Sequence, residues 1–202
     1  MSTQNQDGIQ RMVDIEQKIS QGKGTGYIHW AKKFNLQQMS QTMVYLEKYG
    51  FHSPEDVDNA LQEAIRSQNH ISHQIRELEQ RISDNKELLR QIAVYRKTKP
   101  VYDGLKKFKK AKQRAKYEEE NRTDFALFSA SGKYFKEKGI TKLPATPKVR
   151  EENEKLISQK TSLYTDLREQ ESKTAELRRI KSNLHSMLQE KPKTRKREET
   201  LE

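Results

Sequence analysis

The chain contains no cysteine, so disulfides, thiolate metal ligands and a cysteine nucleophile are excluded at the outset. Long apolar runs are missing as well. The longest, Ile92 to Tyr95, has four residues, whereas a bilayer-spanning helix needs roughly 20. Met1 to Gln10 is polar and lacks the apolar stretch of a secretory signal. These absences predict a soluble, cytoplasmic protein with no membrane partner. Core-forming residues are also scarce. Leu, Ile, Val and Phe total 40 of 202 residues while 34% are charged, which excludes a thick globular core. What remains is disorder, or elongated helices that each bury a narrow stripe.

Periodicity selects helices. Ile9, Met12, Val13, Ile15 and Ile19 have helical spacing and predict a helix from Ile9 to Ser20, stopping at the joint Gly22-Lys23-Gly24-Thr25-Gly26. A second helical stretch carries Tyr27, Ile28, Trp30, Ala31 and Phe34. Asn35 reads as the N-cap of a third, with apolar positions Leu36, Met39, Met43 and Leu46 and Gly50 as its C-cap residue. Ser53-Pro54-Glu55-Asp56 is a helix start. From there Val57, Leu61, Ala64, Gln68, Ile71, Ile75, Leu78, Ile82, Asn85, Leu89 and Ile92 keep a strict four-three alternation, the seam of a coiled coil with two polar register positions. A second, weaker seam follows Thr146-Pro147 through Val149, Leu156, Leu163, Leu167, Leu177, Leu184 and Leu188, with Asn153, Lys160, Gln170, Thr174 and Lys181 in the intervening slots.

The expected fold is therefore all-α. Short N-terminal helices (residues 1–52) precede a long antiparallel coiled-coil hairpin, with its first helix over 53–95 and its second over 146–190. A basic helical connector over 96–145 forms a small cap at the tip, and 191–202 is a disordered basic tail. High effective concentration favours pairing of the two long helices within one chain. A homodimer formed through the coiled coil stays open.

The sequence offers little for catalysis. The glycine joint lacks the spacing and the preceding strand of a phosphate loop. His70 and His73 share a helical face without a third ligand, so no metal and no cofactor are expected. No serine sits in a nucleophile elbow. The informative feature is charge. Lys and Arg outnumber Asp and Glu by 40 to 29, and ten of those bases lie between Arg96 and Lys116 with one acid, Asp103. Such density suits phosphate neutralisation, and the interleaved Tyr102 and Phe108, with Tyr117 beyond, are candidates for stacking on bases. The bland reading is a solvated linker whose aromatics pack on the hairpin. Lys106, Lys107, Lys109, Lys110, Lys112 and Arg114 are the candidate phosphate contacts. Trp30, Phe34, Met39 and Met43 are candidate anchors for a protein partner if exposed, and core residues of the short helices if not.

Several blocks of the chain resemble a known arrangement. Ile15-Glu16, Gly22 to Tyr27, Trp30-Ala31-Lys32, Phe34-Asn35-Leu36 and Gln38-Met39 are similar to the post-catalytic region of MobA-type relaxases, the mobilisation nucleases of Gram-positive conjugative and mobilisable elements. The similarity continues through Thr42, Leu46, Gly50, Tyr95, Lys97-Thr98, Val101-Tyr102, Glu118 to Glu120, Gly139 and Lys142-Leu143-Pro144. It covers most of residues 9 to 188 and is most specific between Gly22 and Met39. Relaxases of this family nick one DNA strand with a tyrosine beside a histidine-bound divalent metal, in an N-terminal domain with a His-x-His motif. This chain has neither that motif nor strand-like alternation, so no catalytic residue carries over. The resemblance implies the noncatalytic helical C-terminal portion of a relaxase, as a fragment or a freestanding relative. The resemblance further implies that such a portion engages DNA or, alternatively, docks relaxosome or type IV secretion proteins without binding DNA.

Overall fold

The computed structural model describes residues 8–189, so the basic tail from Lys191 onward lies outside it. Among the described residues the fold is all-α. Helices α1 (Ile15–Ser20), α2 (Thr25–Tyr49) and α3 (Pro54–Gly104) are followed by a single 3-10 turn at Leu105–Lys107, then α4 (Ala111–Glu120), α5 (Arg122–Glu137) and α6 (Thr146–Gln189). No described helix is long and apolar enough to cross a membrane. The described residues divide into two compact units, residues 8–71 with 166–189, and residues 72–165. Each takes part of α3 and part of α6.

In the first unit the start of α3 is built as its sequence demands. The Ser53 backbone N–H donates to the Asp56 carboxylate at 2.8 Å, and the Asp56 N–H donates back to the Ser53 hydroxyl at 3.2 Å. This reciprocal pair satisfies donors that the first turn of a helix leaves without partners. Just upstream, Gly50 ends α2 in the left-handed region at φ 66°, and the Phe51 N–H donates to the Leu46 carbonyl. Only a glycine takes that backbone without strain. The core here joins Val57, Leu61 and Ala64 of α3 to Leu177 and Ile180 of α6, in antiparallel register, with Leu46 of α2 and Ile9 beside them. The seam positions Val57, Leu61 and Ala64 are buried as the alternation predicts.

Two local expectations for this unit are corrected. The predicted helix from Ile9 to Ser20 begins only at Ile15, capped by the Asp14 side chain, and residues 9–13 form a non-helical strap. The predicted break at Asn35 does not exist, because α2 runs through it and Asn35 is buried in mid-helix. Both corrections have one cause. The Asn35 side chain is spent on the strap: its Oδ1 accepts from the Val13 N–H and its Nδ2 donates to the Val13 carbonyl. Gln38 Oε1 accepts from the Gln10 N–H, and Asn183 Oδ1 accepts from the Met12 N–H. Asn183 Nδ2 also donates to the Gln10 carbonyl and to the Thr42 hydroxyl, and Arg179 donates to the Ile9 carbonyl. Side-chain amides thus do for the strap what a helix would otherwise do for itself. The same packing shifts the second seam. Beyond Leu177 the fully buried positions of α6 are Ile180 and Asn183, not Lys181 and Leu188, and Leu188 is exposed.

In the second unit α3 and α6 again run antiparallel within the chain. Arg81 pairs with Glu152 at 3.1 Å, and Glu79 accepts from the Tyr164 hydroxyl at 3.1 Å and from Lys160 at 3.5 Å. Ile75, Ile82 and Ile92 of α3 and Val149 and Leu156 of α6 are buried in it. The first long helix was expected to end at residue 95. Instead it continues through Pro100 to Gly104. A mid-helix proline costs about 3 kcal/mol through its missing N–H and its clash with the preceding turn. That cost is offset by stacking on both sides of it. Tyr95 and Tyr102 both stack on Phe128 of α5, at 4.9 and 4.3 Å between ring centroids.

Candidate nucleic-acid interface

The basic connector belongs to the second unit and starts where α3 ends. At Gly104 an added Cβ would lie 2.5 Å from the Tyr117 hydroxyl oxygen, so only a glycine lets Tyr117 come this close. The Tyr117 hydroxyl donates to the Val101 carbonyl at 3.1 Å, and its ring packs on Phe108 at 5.1 Å and edge-on to Phe125 at 6.3 Å. Leu105, in the 3-10 turn, is buried. These contacts pin the two ends of the segment from 105 to 117 while its polar side chains point outward.

All six predicted contacts, Lys106, Lys107, Lys109, Lys110, Lys112 and Arg114, are exposed. Asp103, the only acid of the run, is shared by Lys99 at 2.8 Å and Lys106 at 2.9 Å. Hydrogen bonds from Lys106 and then Lys99 hold its carboxyl down at about 2, and the same contact raises Lys99. Among the described residues no carboxylate pairs with Lys107, Lys109, Lys110, Lys112 or Arg114. Farther along α4 the charge is balanced, with Lys116 3.8 Å from Glu120. The unneutralised part is therefore short, spanning the 3-10 turn and the first turn of α4. On α4 the four-residue spacing sets Lys112 and Lys116 in one row, while Lys110 is the extended residue that precedes the helix.

The interleaved aromatics pack on other rings of the same unit. Phe108 and Tyr117 are half-buried against each other, and Tyr102 stacks on Phe128. Their faces meet other rings of the unit, although Tyr102 remains 42% exposed. Periodicity could not show this, because it does not say which rings meet.

The residues proposed as protein anchors fall in the first unit. Trp30 and Met43 are 51% and 54% exposed, while Phe34 and Met39 are half-buried. Phe34 stacks on Trp30 at 5.3 Å and Tyr27 lies against Trp30 at 5.4 Å. Met43 is on the other side of α2 from this ring row, so the four do not form one patch. The sequence reading missed Asn35, Gln38, Arg179 and Asn183 as a set. Asn35, Gln38 and Asn183 are visible in the sequence as amides, and Arg179 as a base, but their common target, the strap, is not. His70 and His73 are both exposed, and His73 lies 3.6 Å from Glu77. Among the described residues no three His, Asp or Glu side chains converge on a point that could hold a metal.

Comparison of the chain with protein-family models, with curated proteins and with solved structures finds no match.

Proposed function

We propose that this chain is a noncatalytic accessory module of DNA mobilisation, corresponding to the C-terminal helical portion of a MobA-type relaxase, and that it contacts DNA backbone through its connector. One observation carries the reading: five neighbouring basic side chains are exposed on a folded, aromatic-pinned scaffold with no carboxylate among the described residues to neutralise them. Like charges held this close repel one another, and a polyanion relieves that repulsion by giving up its condensed counterions. The basic side chains are flexible and point outward, with no buried amide or ring among them to read a base edge. Such contacts position a duplex without selecting its sequence. The resemblance between Gly22 and Met39 connects this binding to mobilisation.

The test is binding of the purified chain to labelled DNA over a salt series. Log affinity is expected to fall linearly with log salt, with a slope of about 0.9 per phosphate contact on duplex DNA. Neutralising Lys106, Lys107, Lys109, Lys110, Lys112 and Arg114 together should weaken binding on all sequences alike and flatten the slope. A variant that binds as tightly as the parent chain would remove the connector from the interface.

A further inference from the structure

The seam of the second unit closes unevenly. Ile75 and Ile82 of α3 and Leu156 of α6 are buried, but the seam residues Leu78 and Leu163 stay half-buried. These two leucines line an open groove of about 840 Å³ along the helix pair, together with Gln74, Glu77, Arg81 and Gln159. All of these residues lie within the second unit. Leucine surface left half in water at a coiled-coil seam gains from being covered.

The polar side chains around the two leucines identify what covers them. The chain has a net charge of +11, yet this groove holds one acid, Glu77, and one base, Arg81, and its other lining side chains are uncharged. It has no excess charge with which to recruit a polyanion or a basic peptide. The Gln74 and Gln159 side chains make no hydrogen bond with any described residue. An amide both donates and accepts, so it is complementary to another copy of itself. Glu77 and Arg81 are opposite charges one helical turn apart, with Leu78 beside them. A two-fold axis passing between them sets Glu77 of each chain against Arg81 of the partner subunit, the reciprocal contact that a symmetric dimer requires. Both groups are exposed within their own chain, Glu77 at 3.6 Å from His73 and Arg81 at 3.1 Å from Glu152. A guanidinium has five donors, so Arg81 keeps Glu152 while it takes a second carboxylate.

We infer that this groove is an interface between two copies of the chain. The α3–α6 pair of one copy packs antiparallel on that of the other, with Leu78 and Leu163 as the apolar centre and reciprocal Glu77–Arg81 pairs setting the register. An apolar centre inside a polar rim is the ordinary make-up of such an interface. The pairing of α3 with α6 inside each chain is kept, so the second copy adds to the seam without replacing it. The inference does not rest on the function proposed for the connector.

Sedimentation equilibrium of the full chain tests it, in about 0.15 M salt so that the net charges of the two copies are screened. A monomer–dimer equilibrium is expected between micromolar and millimolar concentration. Glu77→Arg sets like charges against each other at both symmetric contacts, and so does Arg81→Glu. Each should weaken self-association by at least about ten-fold. Arg81→Gln, which places no carboxylate beside Glu152, should weaken it by a smaller factor. Mixing the Glu77→Arg chain with the Arg81→Glu chain should restore the dimer, because every contact in the mixed pair joins opposite charges. Circular dichroism checks that the variants keep their helices. A chain that stays monomeric over the whole range overturns the proposal. So does a dimer that ignores both reversals, or a mixture of folded variant chains that does not associate.

Discussion

Asn35 holds Val13 in both directions: its side chain accepts the Val13 N–H at 2.7 Å and donates to the Val13 carbonyl at 2.8 Å. An asparagine in mid-helix ordinarily competes with its own backbone and disfavours the helix. Here that same amide stitches a non-helical strap onto α2, and Asn183 repeats the device from α6. Ile9, at the head of the strap, then reaches the core beside Leu46, Val57 and Ile180.

Asn183→Ala should therefore be among the most damaging single substitutions in the first unit. It removes the acceptor of the Met12 N–H and the amide that donates to the Gln10 carbonyl and to the buried Thr42 hydroxyl. A buried group left without its partner costs about 1–3 kcal/mol, so a total loss of roughly 2–4 kcal/mol is expected once the strap relaxes. Urea unfolding measures it, with the exposed Arg178→Ala as the neutral comparison. Equal midpoints for the two variants would mean that the strap contributes nothing to stability.

Gly104→Ala should destabilise the second unit even though alanine is the better helix former. The new methyl meets the Tyr117 hydroxyl oxygen at 2.5 Å, and Tyr117 is held by the Val101 carbonyl and by Phe108. Overpacking of this kind costs about 1–3 kcal/mol. In a Tyr117→Ala background the clash disappears, and the glycine substitution should become neutral or favourable by up to about 1 kcal/mol. A double-mutant cycle on thermal unfolding would show the change of sign.

Asp103 links stability to pH and to DNA binding. Its carboxyl lies at about 2, below the ordinary value of 3.8, because Lys106 and Lys99 donate to it. A depressed acid stabilises the folded state above its ordinary pKa, and that contribution is lost as pH falls from about 4 toward 2. The carboxyl chemical shift of Asp103, followed by NMR from pH 6 downward, should titrate in the lower part of that range. Because the group is exposed, the effect on stability is small. Its effect on binding is not. Asp103→Asn releases Lys99 and Lys106, so DNA affinity at low salt should rise and the salt slope should steepen by up to about two contacts. An unchanged slope would separate Asp103 from the interface.

The polar seam residues of the second unit should be stabilising to remove. Asn85 Nδ2 and Asn153 Oδ1 are buried without a hydrogen-bond partner. Replacing both by leucine exchanges two unsatisfied atoms for apolar contacts, with an expected gain of about 1–3 kcal/mol. Polar seam positions fix register, so the double variant should also lose some uniqueness. Denaturation together with amide hydrogen exchange of α3 and α6 distinguishes the two effects.

Much of the fold was legible because helices report themselves locally. The four-three alternation from Val57 to Ile92 needs no partner to be recognised, and Ser53, Asp56 and Gly50 mark helix ends through their own backbone chemistry. Pro100 misled for the same local reason. Its cost is intrinsic, whereas the ring stacking of Tyr95 and Tyr102 on Phe128 that offsets it comes from a helix more than twenty residues away. The connector was half legible. Its lysines are exposed as charge density predicts, but the fate of Tyr102, Phe108 and Tyr117 depended on which rings they meet.

By itself the sequence determined an all-α chain with two long amphipathic helices, a concentrated basic run and no thiol chemistry. Periodicity, capping and composition act over a few residues and survive without a partner. Only the tertiary structure decided that Asn35 grips a strap instead of capping a helix, and that Asn183 joins it there. It alone decided that the second seam turns to Ile180 and Asn183, and that Trp30 stays in water while Tyr117 does not. Those outcomes depend on which groups meet across the fold, where a buried amide must find a partner and a ring must find a face, and no spacing along one helix contains that information.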